Sequence, residues 1–275
     1  MKRSSLYGAA FILMAAAYTA CQSPAGSGNN TNTDSTASAA PAPLQVEPVT
    51  GSPTFPDASL KIDKITAEKS GDSAKVNFTF KVANYELTQQ TADASTKECS
   101  NSSQGQHIHF IMDNQPYAAL YKPEHSTTLP LNTEHYLLCF LSRSYHESLK
   151  TPAAAVLVHF KVDGNGKIVK LPQPTTPMIF YSRPKGEYVG NDTKNVLLDF
   201  YVYGGTLGDS LQVKAGVNDT TFNIRQWQPY FIKNAPMGDL KVTLQLTDGN
   251  GNPLQGPNTQ VERTAHLAAG EPITQ

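Results

Sequence analysis

The chain has 275 residues and a net charge of -1, from 22 Lys plus Arg against 23 Asp plus Glu. That balance, with no long basic run, lacks the positive footprint that phosphate-backbone binding demands and excludes nucleic acid as a partner. Charged residues are 16% of the chain beside 19 Gly and 19 Pro, which favours strands joined by short turns, and three cysteines are too few for a disulfide framework.

Lys2 and Arg3 precede an uncharged stretch from Leu6 to Ala17, which ends in Tyr18-Thr19-Ala20-Cys21. A positive start, a short apolar run and small residues before a cysteine resemble the bacterial lipoprotein signal. Residues 1–20 are therefore expected to be removed, and Cys21 to carry the lipid that holds the protein on a membrane. Residues 21–58 are rich in Ser, Thr, Asn, Ala, Gly and Pro, with few large apolar side chains to offset chain entropy. They read as a disordered linker.

Beyond the linker, one unit of about a hundred residues occurs twice. Val76, Phe78, Phe80 and Val82 alternate as do Val196, Leu198, Phe200 and Val202, at an offset of 120. Period two marks strands with one face on a core. From His107 the offset becomes 105, placing Ile108, Phe110 and Met112 over Val213, Ala215 and Val217, and Asp113-Asn114 over Asn218-Asp219. Tyr121-Lys122-Pro123 lies over Trp227-Gln228-Pro229, and Leu137-Cys139-Leu141 over Val242-Leu244-Leu246. Short strands with turn signals between them, repeated once, predict an all-β fold: two tandem immunoglobulin-like antiparallel β-sandwiches over 59–172 and 173–275.

Four segments carry a further resemblance: Gly105-Gln106-His107-Ile108-His109-Phe110-Ile111-Met112-Asp113-Asn114, Arg143-Ser144-Tyr145-His146-Glu147-Ser148, Arg183-Pro184-Lys185-Gly186-Glu187-Tyr188 and Trp227-Gln228-Pro229-Tyr230-Phe231-Ile232. With these, residues 59 to 269 resemble a family of Bacteroidota envelope lipoproteins that has no assigned chemistry and whose relatives are sometimes labelled phosphopeptide-binding. The resemblance implies a body in the cell envelope. In that phylum an acidic stretch after the lipidated cysteine marks surface export, and Gln22-Ser23-Pro24 lacks one, so an outer-membrane anchor with a periplasmic-facing body is expected.

The second repeat serves as a control for the first, because both must solve the same packing problem. His107 and His109 stand where the second has Gln212 and Lys214. Both side chains then leave the core on one strand face, where two imidazoles can approach one zinc or copper ion. His146 or Glu147, His159, or less easily His135 could supply a third ligand; ordinary polar residues on an exposed strand are the alternative. The first unit also has 15 extra residues between Leu87 and His107, and an insertion abutting this pair reads as a lid. Leu138 and Phe140, opposite Thr243 and Gln245, indicate that the outward face is covered.

Arg143, Tyr145, His146 and Glu147 form the candidate ligand-binding loop, with Arg143, Arg183 and Lys185 as candidates for an anionic ligand. Cys99 and Cys139 could form a disulfide; in the alternative Cys139 is a buried apolar residue and Cys99 a free thiol or metal ligand. Asp163-Gly164-Asn165-Gly166 and Asp248-Gly249-Asn250-Gly251 read as hairpin turns, since the second lacks the later Gly and Glu of a calcium loop. No nucleophile elbow or strand-turn-helix pattern is present. The expected function is a non-catalytic, lipid-anchored binding protein without a cofactor, whose partner is an envelope protein, peptide or glycan. The competing expectation is a zinc- or copper-handling protein or metal-dependent enzyme using His107, His109 and His146.

Overall fold

The computed structural model describes residues 42–270. The signal and the Cys21 lipidation site lie outside the described residues. The first nine strands are β1 (Gln45–Pro48), β2 (Ser59–Ser70), β3 (Ser73–Ala83), β4 (His107–Met112), β5 (Ala118–Leu120), β6 (Glu124–Pro130), β7 (Thr133–Ser142), β8 (Ala155–Val162) and β9 (Ile168–Lys170). Eight follow: β10 (Met178–Arg183), β11 (Glu187–Val189), β12 (Val196–Tyr203), β13 (Leu211–Val217), β14 (Thr220–Ile224), β15 (Tyr230–Lys233), β16 (Gly238–Asp248) and β17 (Gln260–Ala268). Among the described residues the only helical pieces are three 3-10 turns, and no helix is long and apolar enough to cross a membrane.

The fold is all-β, and the repeat reappears as topology. In the first sandwich a sheet ordered β2-β3-β6 faces one ordered β5-β4-β7-β8-β9. In the second, β10-β12-β15 faces β14-β13-β16-β17 in the same connectivity, extended by β1 on one sheet and by the parallel strand β11 on the other. Each pair encloses its own core. Phe78, Phe110, Leu137, Cys139 and Phe160 fill the first, and Leu198, Phe200, Val213, Val242 and Leu244 the second.

The segment expected to be linker up to residue 58 is ordered from residue 42. Its strand β1 runs antiparallel to β15 of the second sandwich, pairing Val46 with Ile232, and Val46 packs against that core. Local composition missed this because the pairing partner lies nearly two hundred residues away.

A third apolar cluster joins the sandwiches. Ile111, Leu138, Phe140 and Leu157 on the outer face of the β4-β7-β8 sheet meet Met178, Phe180 and Tyr201 on the outer face of β10-β12. Phe140 stacks on Tyr201 with ring centroids 5.5 Å apart. The face anticipated as covered is covered, and this part of it by the second sandwich rather than by the insertion. β12 is consequently buried on both sides, which explains its unbroken Val-Leu-Leu-Asp-Phe-Tyr-Val run. Its one charge, Asp199, has no exposed surface and is met from the first sandwich by Lys150 Nζ at 2.7 Å and the Ser148 hydroxyl at 2.9 Å.

Candidate metal centre

The first unit's additional residues close one end of this seam. Gly105 ends the insertion at φ +83°, where a Cβ would lie 2.2 Å from the Thr88 carbonyl oxygen, so only glycine lets the returning chain pass. Thr88 N donates to Gln106 O and Gln106 N to Gln89 O, fixing the entry into β4. Beyond β7, the Arg143 to Ser148 loop is tied to the insertion by paired bonds between the backbone N–H and hydroxyl groups of Thr91 and Ser144.

On β4, His107 and His109 point away from the first core as expected, but neither is exposed. His109 meets Ser182 of the second sandwich, whereas His107 is enclosed by Tyr121 and His146 of its own unit. His146 joins them from the loop, in the left-handed conformation at φ +69°, a costly backbone for a non-glycine residue. His107 Nε2 lies 2.9 Å from His109 Nε2 and 3.2 Å from His146 Nδ1, and one ligand atom from each ring falls within 4.8 Å of the others.

The protons in this cluster can be followed. The Gly105 carbonyl, 2.8 Å from His107 Nδ1, can only accept, so Nδ1 carries the hydrogen and Nε2 presents a bare lone pair. That one lone pair faces two ring nitrogens. His109 Nε2–H supplies a donor to it, leaving Nδ1 of His109 to accept from the Ser182 hydroxyl at 3.0 Å. His146 Nδ1 meets the same lone pair and also the Tyr117 hydroxyl at 3.2 Å. Two donors sharing one lone pair is a poor hydrogen-bond arrangement. Three lone pairs sharing one cation is a good one, and it requires that His109 carry its hydrogen on Nδ1, donating to Ser182, and His146 carry its own on Nε2.

Nitrogens about 2.0–2.1 Å from a tetrahedral zinc lie about 3.3 Å from one another. Two of the separations here are within a few tenths of an ångström of that value. Burial pushes His107 down to about 4 and holds His109 and His146 well below the ordinary imidazole range, with Arg183 and Lys185 acting in the same direction. All three rings are neutral near pH 7, the form that ligates. Gly105 and Ser182 are the outer partners that fix two of the rings. Tyr117 adds a wall, stacked on His109 with ring centroids 3.7 Å apart.

The loop expected to offer Arg143, Tyr145, His146 and Glu147 to a ligand is turned inward, and all four are buried. Arg143 is bonded to the Pro53 carbonyl and to Glu147 Oε1 at 2.7 Å, and Glu147 also accepts from the Ser52 hydroxyl. Burial pushes the Glu147 carboxyl up, opposed by Arg143. Tyr145 reaches Asp93 at 3.4 Å. Of the four, only His146 joins the cluster, because the others are spent anchoring the loop, the insertion and residues 52–53.

The remaining histidines lie elsewhere. His135 is held by Asp113 and Thr133, and His159 by Glu134 and the Pro172 carbonyl. The Cys99–Cys139 disulfide is absent, both thiols being free. Cys139 points into the first core, opposite to Leu138 and Phe140, whereas Cys99 is buried in the insertion and takes no part in that core. Ser182 and Tyr117 were not legible as site residues. One arrives from the second sandwich and the other from the β4–β5 connection, and no spacing along the chain relates them to the histidines.

No protein-family model matches the chain, and no curated protein matches it. Among solved structures it is similar to the fibronectin(III)-like modules of Clostridium thermocellum CbhA, at 10% identity and a TM-score of 0.27 over 76% of this chain and 94% of that one. It is also similar to the extracellular domain of a putative hybrid two-component system of B. thetaiotaomicron, at 10% identity and a TM-score of 0.27 over 76% of this chain and 44% of that one.

Proposed function

We propose that the protein is a metal-handling member of the cell envelope, anchored by a lipid on Cys21 and holding one zinc or copper ion between His107, His109 and His146. One observation carries the reading: three neutral, buried imidazole nitrogens converge from a strand and a strained loop, and two of the rings are oriented by fixed partners. Imidazole sets of this kind suit zinc and copper rather than calcium or magnesium. Enclosure between two sandwiches favours retention of an ion over turnover of a substrate, and the inward loop leaves the expected peptide- or glycan-presenting surface without its residues.

Protein purified without a histidine tag and analysed for metals should retain close to one equivalent of zinc or copper. His146→Gln should lower retention at least tenfold while leaving the sandwiches folded. Gln is the suitable replacement at His109 too, because Lys, tolerated at the corresponding Lys214, would here bury an ammonium with no partner. Metal-free wild-type protein after exposure to both ions would overturn the reading.

A further inference from the structure

Three protein nitrogens leave a tetrahedral ion with one coordination position to fill. Beside the histidines stands a cation with unusual surroundings. Arg183 is buried at 8% exposure, and its Nη1 donates only to neutral acceptors, the Lys185 carbonyl and the Tyr188 hydroxyl, each at 3.2 Å. Its Nε has no partner among the described residues, and no carboxylate pairs with it there. An uncompensated buried guanidinium is costly, and its planar donors match the paired oxygens of an oxyanion. Arg183 lies over the Tyr117 ring at 5.5 Å, and the Tyr117 hydroxyl is 3.2 Å from the ligating nitrogen of His146, so the cation and the cluster adjoin.

A second cation follows it. Lys185 Nζ sits 4.1 Å from the centroid of the same Tyr117 ring and donates to the Tyr117 carbonyl. Lys185 and Arg263 are the charged residues lining a cavity of about 260 Å³ whose wall includes Ser182, the partner of His109. This cavity reaches the cluster through Ser182, carries positive charge and has no acidic residue in its lining. Its size admits a small ion rather than a folded partner.

We propose that Arg183 and Lys185 form an anion subsite of the three-histidine centre, and that a small oxyanion, of the carboxylate, bicarbonate or phosphate class, completes the shell of the bound metal. This rests on the metal reading above. The ion reaches the site along the cavity lined by Lys185 and Arg263. One of its oxygens ligates the metal, and another accepts from the guanidinium of Arg183, supplying the charge that buried residue lacks.

The test uses the full chain as Cys21→Ser, loaded with cobalt(II) as a spectroscopic probe, with cobalt counted by elemental analysis after desalting. Acetate, bicarbonate and phosphate are then titrated while the visible absorption bands are followed. At least one of them should shift the bands saturably, and Lys185→Gln and Arg183→Gln should each weaken that response about tenfold or more at unchanged cobalt content. Lys185 is only part-buried, so its variant carries the result where Arg183→Gln fails to fold. A cobalt-loaded protein whose spectrum ignores all three anions overturns the subsite and leaves the metal reading standing. An anion response equal in wild type and Lys185→Gln overturns the assignment to these cations, and a chain that takes up no cobalt overturns both readings.

Discussion

Cys99 and Cys139 show how far a single side chain is governed by the face it occupies. Alternate residues of a strand point to opposite sides, so Cys139 lies in the first core while its neighbours Leu138 and Phe140 meet the second sandwich. Burial pushes the Cys99 thiol up to about 12 and Cys139 well above the ordinary thiol range. A thiol reacts as its thiolate, so both stay protonated and inert well above neutral pH. In a Cys21→Ser protein at pH 8, a thiol-specific reagent should therefore label neither residue in the native state and both in guanidinium chloride. A denatured protein with no reactive thiol would show that the two are bonded after all. The same face rule made His107 and His109 legible as a pair off the core, but burial by a distant element made them a site.

Strand β1 is the element whose neighbours matter more than its own composition. Gln-Val-Glu-Pro carries a weak strand signal, yet it closes the outer edge of β15 and places Val46 against the second core. An open edge offers unpaired donors and acceptors to other chains. Removal of residues 42–49 should cost on the order of 3–4 kcal/mol, from the β1 ladder, the Val49–Pro229 hydrogen bond and the apolar contacts of Leu44, Val46 and Val49. It should also speed exchange of those amides in 230–233 that face β1, and raise the tendency to associate. Unchanged exchange there would show that β1 contributes nothing to that edge.

At the scale of the whole molecule, the two sandwiches share a core of their own. Phe140, Tyr201, Phe180 and Leu138 are buried between them, and the buried pair of Lys150 with Asp199 crosses the same seam. This coupling predicts one cooperative thermal transition for the body. Phe140→Ala should cost about 3–5 kcal/mol by cavity formation, lower the midpoint on the order of 10 °C, and weaken metal retention because the second sandwich holds Ser182 against His109. Two calorimetric transitions in the wild type would mean that the halves fold independently and the seam is weak.

The all-β class, the duplicated unit and the facing of its strands followed from the sequence alone, because hydrophobic alternation and turn residues are local and each repeat checks the other. Comparing the units also isolated His107 and His109, and proximity in the first unit suggested His146. The burial of these residues, the inward turn of Arg143 and Glu147, the crossing of β1 to the second sandwich and the arrival of Ser182 and Arg183 beside the histidines were decided only by tertiary structure. Each depends on how one sandwich's outer face docks on the other's. Docking is set by apolar surfaces such as Phe140 and Tyr201, distant in sequence and without a shared period, so nothing local in the chain encodes which face meets which.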